Sequence, residues 1–335
     1  MILLVNGKPF ASAVADGRRV MIRATLPMRD STLRVIAVDG EGDRRRSAAV
    51  GPVFGLPSAA APQPTGSRED PKLAARVRAL ARSFAGSAGV YVQDLRSGLG
   101  AAWNARARFP GASTLKLAIA VEMLRSLPAP PARGSGIDNL LRSMLHYSDN
   151  AAANQLEVAI GGSTSGGSAR INGMLRAIGL SDTDMYGGYE LDRAARAIPI
   201  TIVTQPGIGN TKHSTAWDLA RLSRAVYLAA GGRGPLLTRV TGFSPSEARY
   251  LLYLLLHVPD RGKLGRYLPL GTALAHKAGW VTTSRSDNGI VFWPGGALVA
   301  TVMTYSPGGV GTGADVLAGR VAQAALARFR AVGQG

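Results

Sequence analysis

The order of strand and helix patterns after residue 70 limits the possible folds of this chain more than any other feature. Two strand patterns joined by Arg96-Ser97-Gly98 come first, and three more come last, after a long region of helical periodicity. The strand patterns are Val90–Leu95, Leu99–Asn104, Ala273–Lys277, Gly289–Trp293 and Leu298–Tyr305. Strands at both ends of a helical region predict an α+β domain. Its single five-stranded antiparallel sheet has two N-terminal and three C-terminal strands, flanked by helices, with an all-helical region inserted.

Helices account for most of the chain between these strands. They are predicted at Ile137–His146, Asn150–Ile160, Ser168–Ile178, Ser214–Leu228 and Pro245–Leu256, and a closing helix is predicted over 314–331. Another helix begins at Asp70-Pro71, which have the residue types preferred for an N-cap and first helical position. Residues 181–210 show little periodicity, and so long a loop in a compact domain is usually functional or disordered.

The first 56 residues have a different pattern from the rest of the chain. Short strand patterns indicate part of an immunoglobulin-like β-sandwich, with too few strands for a complete one. They are predicted at Ile2–Val5, Val20–Leu26, Leu33–Val38 and Val50–Phe54. Residues 57–70 are rich in Pro, Ala and Ser and have the composition of a linker. The predicted organisation is therefore a β segment at 1–56, a linker at 57–70 and a main domain at 71–335.

Composition excludes several kinds of site. The chain has no cysteine, which rules out disulfides, thiolate metal sites and cysteine nucleophiles. Its four histidines show no paired helical spacing, so we expect neither a metal site nor a cofactor. The net charge of +18 comes from scattered arginines, which suit a solvated surface or anionic cell-wall material. No nucleic-acid-binding motif accompanies that charge, and we expect no nucleic-acid partner.

Residues 109–120 carry the first candidate chemistry. The turn Pro110-Gly111 leads into an apolar helical stretch with Ser113 at its start and Lys116 three residues later, on the same helix face. At a helix start the Ser113 N–H is left free to donate. Burial among leucines would favour the neutral amine of Lys116, and a neutral amine beside a hydroxyl is a base beside a nucleophile. A serine at this place is also a common helix cap, so this stretch alone does not distinguish a catalytic serine from a capping one.

Two further motifs contain polar groups that could join this pair. Ser148-Asp149-Asn150 precedes a predicted helix that contains Asn154. A second Ser-Asp-Asn, at residues 286–288 and followed by glycine, is predicted to be a hairpin turn between two strands. Lys277 lies on a predicted strand and is followed by Ala278 and Gly279, where a glycine lets the backbone approach a ligand.

In this order, the three motifs resemble those of the penicillin-recognising serine hydrolases, most closely the class A β-lactamases. The flanks Phe109-Pro110 and Ala152–Asn154 also look like that family, and the resemblance covers residues 70–335. It implies Ser113 as the acylated nucleophile, Lys116 as its base and Ser148 as the proton relay to the leaving nitrogen. For binding, the resemblance implies that Asn150 holds the substrate amide and Lys277 its carboxylate. It also implies an oxyanion hole formed by the backbone N–H groups of Ser113 and of Trp280, the residue after Gly279.

The sequence departs from the family at two places. Ala278 replaces the usual Thr or Ser of the third motif, which puts affinity for ordinary penicillins in doubt unless Thr282 or Thr283 substitutes. Class A enzymes hydrolyse the acyl-enzyme with a water held by a loop glutamate, in the pattern Glu-Pro-x-Leu-Asn. Aligning Glu190-Leu191-Asp192 with the last three positions puts Gly188 where that glutamate belongs. Glu190 is then the nearest residue for deacylation.

Three functions are consistent with these residues. The first is a β-lactamase-like serine hydrolase that cleaves the β-lactam amide. The second is a peptidase or esterase that acts on cell-wall peptides; β-lactams acylate this enzyme, and it releases them slowly. The third is a degenerate cell-envelope binding protein. The resemblance implies work outside the cytoplasmic membrane. Residues 1–7 do not have the pattern of a signal peptide, and no stretch is long and apolar enough to span a bilayer.

Overall fold

A computed structural model describes residues 1–17, 20–24, 26–27, 30–54, 67–191 and 205–332. The chain divides into two compact units, 1–58 and 59–335, and each is described by itself. Among the described residues, no helix has both the length and the apolar character needed to cross a membrane.

The described strands of the first unit form a single sheet. They are β1 (Ile2–Val5), β2 (Lys8–Ser12), β3 (Asp30–Val38), β4 (Arg44–Arg46) and β5 (Val50–Phe54). The order is β2-β1-β3-β4, with β5 also paired to β3, and all pairings are antiparallel. These strands make one layer, where the sequence suggested part of a sandwich. The predicted strand at Val20–Leu26 is wrong, since the described residues there have no regular structure.

The second unit has the predicted α+β architecture. Its strands are β6 (Arg68–Glu69), β7 (Ser87–Asp94), β8 (Leu99–Trp103), β9 (Arg108–Pro110), β10 (His213–Thr215), β11 (Ala273–Val281), β12 (Ser284–Trp293) and β13 (Gly296–Tyr305). Its helices are α1 (Pro71–Arg82), α2 (Lys116–Arg125), α3 (Gly136–His146), α4 (Asn150–Gly161), α5 (Thr164–Ala177), α6 (Ala216–Ala230), α7 (Pro235–Thr238), α8 (Pro245–Leu256) and α9 (Gly313–Val332).

The main sheet has the order β11-β12-β13-β7-β8-β6. The first five are the predicted antiparallel strands, two from the N-terminal side and three from the C-terminal side. The two-residue β6 adds a sixth, parallel to β8, and it was not predicted because two residues carry no periodicity. Both β9 and β10 lie outside this sheet and pair with each other.

The second Ser-Asp-Asn lies inside β12, so the predicted hairpin turn at residues 286–288 is wrong. Each of its residues is nearly fully buried. Asp287 accepts hydrogen bonds from the backbone N–H groups of Leu264 and Asn288 and lies 3.0 Å from His276 Nδ1. The Asn288 amide donates to Ser223 and accepts from Thr301. These partners come from distant parts of the chain, and they make buried polar residues tolerable in a central strand.

Helices α1 and α9 pack on the sheet through a shared apolar core. Leu73 and Val77 of α1 meet Val321 and Phe329 of α9 there, and the sheet contributes residues such as Val92. Helix α6 also contacts the sheet, on β7, β12 and β13, and α8 contacts β11. The strand β11 at the edge of the sheet also touches the short turn that precedes α2. That contact brings the first and third sequence motifs together.

Helix α1 begins where the sequence predicts, because the Asp70 carboxylate accepts a hydrogen bond from Leu73 N at 3.0 Å. Asp70 is only 2% exposed, and its second oxygen pairs with Arg328 Nε of α9 at 2.8 Å. We expect Asp70→Ala to lower the free energy of unfolding by about 1–3 kcal/mol, from a lost cap and an unpaired Arg328. Urea unfolding measures it.

Asp70→Ser is the matched control for this prediction. A serine retains an oxygen for the Leu73 N–H but leaves Arg328 without its partner, so its stability should lie between those of the wild type and the alanine variant. Equal unfolding midpoints for all three proteins would show that this carboxylate does not stabilise the start of α1.

Candidate active site

Ser113 lies in a 3-10 turn, Ala112–Leu115, between β9 and α2. Gly111 connects the strand to this turn, and its carbonyl accepts hydrogen bonds from both the N–H and the hydroxyl of Thr114. Ala112 has φ +44°, a left-handed conformation unusual for a residue other than glycine. Such backbone persists only where surrounding contacts hold it, and it often lies at functional sites. Ser113 thus follows a constrained backbone position.

Lys116, the first residue of α2, has a completely buried side chain. Its Nζ donates to Ser148 O at 2.5 Å and to Asn150 Oδ1 at 2.6 Å. Burial and, to a smaller extent, the positive charge of Lys277 lower the pKa of Lys116 to about 7, against the opposing charges of Asp149 and Glu190. A pKa lowered this far makes the neutral amine of Lys116 accessible near pH 7, as a general base requires.

Ser148 and Asn150 are held at the start of α4. Asp149 is the N-cap of this helix, accepting from Ala152 N at 3.1 Å and from Ser143 Oγ at 2.8 Å. Ser148 has φ +61°, again left-handed. Its carbonyl accepts from Lys116, and its hydroxyl accepts from Lys277 Nζ at 2.9 Å. One residue in an unusual backbone conformation therefore contacts both lysines.

Strand β11 supplies the second lysine. Lys277 is 3% exposed, and burial lowers its pKa to about 8, opposed by the nearby Asp287 charge. Gly279, two residues further along, lies against the turn that contains Ser113. A Cβ at this position would come within 2.7 Å of both Ser113 N and Thr114 N, too close for any side chain. The sequence predicts that this glycine lets the backbone approach a ligand. In the structure it lets β11 approach the backbone of the nucleophile turn.

The described part of the 181–210 loop lies beside these groups. Glu190 is exposed, has φ +63°, and accepts a hydrogen bond from Asn150 Nδ2 at 2.8 Å. The residue before it, Tyr189, is buried, and its ring centre lies 4.6 Å from Lys116 Nζ. The family pattern, aligned on the sequence, puts Gly188 at the glutamate position. In the structure, the loop side chain beside Lys116 is the aromatic ring of Tyr189.

The structure brings most of the predicted residues into one hydrogen-bonded group. Contacts link Lys277 to Ser148, Ser148 to Lys116, Lys116 to Asn150 and Asn150 to Glu190, while Gly279 touches the Ser113 backbone. Among the described residues, the hydrogen bonds of Lys116 Nζ do not include one to Ser113 Oγ. Catalytic hydrogen bonds are often long before substrate binds. The roles assigned to these residues stay predictions.

The remaining predicted positions lie toward the end of β11. The Trp280 side chain is 66% exposed, so the structure gives it no packing role. Ala278 is partly buried. The two candidate replacements for its missing hydroxyl, Thr282 and Thr283, form the turn between β11 and β12. At about 3.3 Å per strand residue, Thr282 is on the order of 13 Å from Ala278, so neither hydroxyl substitutes at that position.

Three residues of this region were not singled out from the sequence. Tyr189 has no motif around it, and only the fold places its ring at Lys116. Lys212 is buried, donates to Gly188 O at 2.9 Å and lies 5.0 Å from the centre of the Tyr189 ring. With only six lysines in the chain, the rarity of lysine was a usable signal for Lys212. The third of these residues is His276, which precedes Lys277 on β11 and contacts Asp287.

Comparison with known proteins identifies relatives of the second unit. The sequence model of the beta-lactamase enzyme family matches residues 72–133 and 129–329. No curated protein matches the sequence. Among the described residues, no cluster of three or more His, Cys, Asp and Glu side chains could hold a metal ion.

Several solved structures share the fold of this chain. A PBP-A variant in an acyl-enzyme complex with penicillin G is 23% identical, with a TM-score of 0.60 over 79% of this chain and 99% of that one. The β-lactamase from Sphaerobacter thermophilus is 22% identical, with a TM-score of 0.60 over 78% and 98%. The class A β-lactamase from Mycobacterium abscessus is 20% identical, with a TM-score of 0.59 over 77% and 99%.

The titration of Lys116 gives a direct test of the site electrostatics. Six lysines make the side-chain resonances of 13C-labelled lysine few enough to assign, with Lys116→Met identifying the Lys116 signal. We expect that signal to titrate near pH 7 in the wild type. Glu190→Gln should lower the Lys116 pKa further, because it removes a negative charge that stabilises the ammonium form and keeps an oxygen for Asn150.

The control for this titration is Glu69→Gln, which removes an exposed carboxylate on β6. It should leave the Lys116 midpoint unchanged. An unshifted or raised midpoint in Glu190→Gln would mean that the Glu190 carboxylate does not act on this amine. A wild-type midpoint near the ordinary lysine value of about 10.4 would contradict the burial of Lys116 itself.

Proposed function

The chain belongs to the beta-lactamase enzyme family, and from that premise we propose that it is a serine hydrolase that forms an acyl-enzyme at Ser113. The compounds proposed to acylate it include β-lactams, whose amide is strained. One observation carries the proposal: a buried lysine with a pKa of about 7 lies one turn from the serine, and a second lysine contacts the Ser148 hydroxyl. The two lysines would thus supply different groups, with Lys116 as the base and Lys277 as the cation.

Acylation follows from these groups in a balanced sequence. Ser113 Oγ attacks the amide carbon and its proton passes to the neutral Lys116 amine. The oxyanion of the tetrahedral intermediate accepts from the N–H groups of Ser113 and Trp280, in an arrangement where one donor is worth about 2.7–4 kcal/mol. The C–N bond then breaks as the Ser148 hydroxyl gives its proton to the leaving nitrogen and takes up the proton that Lys116 received from Ser113. This leaves an ester on Ser113, a hydroxyl on Ser148 and a neutral Lys116 amine.

The two lysines fit different tasks in this scheme. Burial lowers the pKa of Lys277 to about 8, less than it lowers that of Lys116, so Lys277 is the more protonated of the two amines at neutral pH. A protonated Lys277 both attracts a substrate carboxylate and supports the Ser148 hydroxyl that it contacts at 2.9 Å. It also disfavours the protonated form of Lys116, because two like charges in one buried site oppose each other.

Deacylation distinguishes the two enzymatic candidates. A water must attack the Ser113 ester, and Glu190 is the carboxylate that is hydrogen-bonded to Asn150 beside Lys116. The family pattern puts Gly188 at the position of the water-activating glutamate, and the ring of Tyr189 lies beside Lys116 in that loop, so this position carries no carboxylate. This arrangement favours the second candidate, a cell-wall peptidase or esterase whose acyl-enzyme with β-lactams turns over slowly. Such substrates would place its activity outside the cytoplasmic membrane.

Incubation with a chromogenic cephalosporin and a penicillin, followed by intact-mass measurement, tests the proposal. We expect an adduct on wild-type protein and none on Ser113→Ala, which keeps the backbone donor but lacks the nucleophile. Sustained colour identifies a β-lactamase, and one stoichiometric burst with a lasting adduct identifies the slowly deacylating enzyme. If neither colour nor an adduct appears, the acyl-enzyme proposal is overturned. The remaining candidate is then a binding protein with a degenerate hydrolase fold.

The missing hydroxyl at position 278 gives a second prediction. Ala278→Thr adds a donor beside Lys277 that a substrate carboxylate can use, and the neighbouring threonines of the turn are too distant to supply it. We therefore expect the variant to reach half-maximal acylation at a lower penicillin concentration, by about tenfold for one hydrogen bond to a charged group. Ala278→Val, which adds similar volume without a hydroxyl, is the control and should show no such gain.

A further inference from the structure

We propose that Tyr189 is a positioning residue for acylation, setting both the oxyanion donor of Ser113 and the proton affinity of Lys116. The inference rests on the proposed acyl-enzyme at Ser113. The observation behind it is that one buried side chain contacts both parts of that machinery. Its hydroxyl donates to Ala112 O at 3.1 Å, and its ring centre lies 4.6 Å from Lys116 Nζ.

The hydroxyl contact acts on the oxyanion donor through the geometry of one peptide unit. Ala112 C=O and Ser113 N–H belong to the same planar trans peptide, so they point in opposite directions. A hydrogen bond that fixes the carbonyl therefore fixes the direction of the N–H. The left-handed φ of Ala112 makes this peptide unit one that needs such support. Burial keeps the Tyr189 pKa well above 10, so the hydroxyl stays protonated and donates throughout the working range.

The ring contact acts on the base. The face of an aromatic ring attracts a cation, and it does so more strongly where water is excluded. Lys116 is completely buried, so the Tyr189 ring stabilises its ammonium form against the burial that lowers its pKa. The ring therefore helps to hold the Lys116 pKa near neutrality, where both the neutral and the protonated amine are available for successive proton transfers.

Several contacts hold Tyr189 rigidly enough for this role. Asn154 brackets its backbone, accepting from Tyr189 N at 2.6 Å and donating to Tyr189 O at 3.0 Å. The ring also lies near the buried Lys212, which donates to Gly188 O and lies 4.3 Å from the Tyr186 ring centre. Lys212 O in turn accepts from Gly111 N, at the entrance to the nucleophile turn. The loop and the turn are thus tied together on both sides of Tyr189.

Two variants separate the two contacts. Tyr189→Phe keeps the ring and removes the hydroxyl, so we expect the acylation rate constant to fall about 10- to 100-fold, less than the full loss of an oxyanion donor. The penicillin concentration for half-maximal rate and the Lys116 pKa should not change. Tyr189→Leu removes both contacts, and the Lys116 midpoint measured by lysine 13C resonances should move to lower pH as well.

Tyr186→Phe is the matched control, because it removes a tyrosine hydroxyl from the same loop. It should acylate like the wild type. Hydrogen–deuterium exchange of the segment 109–117 gives a readout independent of activity, and it should become faster in Tyr189→Phe but not in Tyr186→Phe. Unfolding midpoints of all variants exclude a general loss of structure as the cause.

The outcomes distinguish this inference from the proposed function. A wild type without an adduct on Ser113 refutes the acyl-enzyme, while exchange and lysine resonances still test the Tyr189 contacts. A wild type that acylates, together with a Tyr189→Phe variant of equal acylation rate and equal exchange, overturns the oxyanion part. A Lys116 midpoint that stays or rises in Tyr189→Leu overturns the part played by the ring.

Discussion

Burial of the Lys116 amine is the physical constraint on which the rest of this site depends. A lysine completely removed from water costs free energy unless its charge is compensated or lost. Here the compensation comes from two oxygens, Ser148 O and Asn150 Oδ1, and a ring face, while another lysine nearby opposes it. The neutral form of this amine is consequently accessible near pH 7. The other contacts of the site either hold those oxygens in place or adjust the charge around them.

Several residues around Lys116 have unusual backbone conformations that place their contacts. Ser148 and Glu190, like Ala112 before the nucleophile, adopt left-handed φ values that their residue types seldom take. Each has a contact that holds it: Ser148 with both lysines, Glu190 with Asn150, and Ala112 with the Tyr189 hydroxyl. The three left-handed positions therefore belong to the same group of contacts around Lys116 and the Ser113 turn.

The sheet edge explains how distant motifs meet. Strand β11 comes from the C-terminal part of the chain and β9 from the N-terminal part, and Gly279 lets β11 lie against the Ser113 turn without a side chain between them. The same strand carries Lys277 to Ser148. Its neighbour β12 buries Asp287 against His276 directly behind Lys277. One edge strand thus connects the second and third motifs to the nucleophile, so the motifs depend on the fold of nearly the whole unit.

Elements with local signals could be predicted from the order of the amino acids alone. Asp70-Pro71 predicted the start of α1, the periodic stretches predicted the main helices, and alternating patterns predicted the five antiparallel strands. The catalytic candidates were also visible, because serine and lysine at fixed spacing are recognisable without coordinates. Features that depend on distant partners were settled by the folded arrangement. It buried Ser286-Asp287-Asn288 in a strand despite its turn-like composition, left residues 20–24 without a strand, and placed Tyr189 beside Lys116. Burial and hydrogen-bond partners, unlike propensity and periodicity, depend on residues that only folding brings together, and neighbours in the sequence do not reveal them.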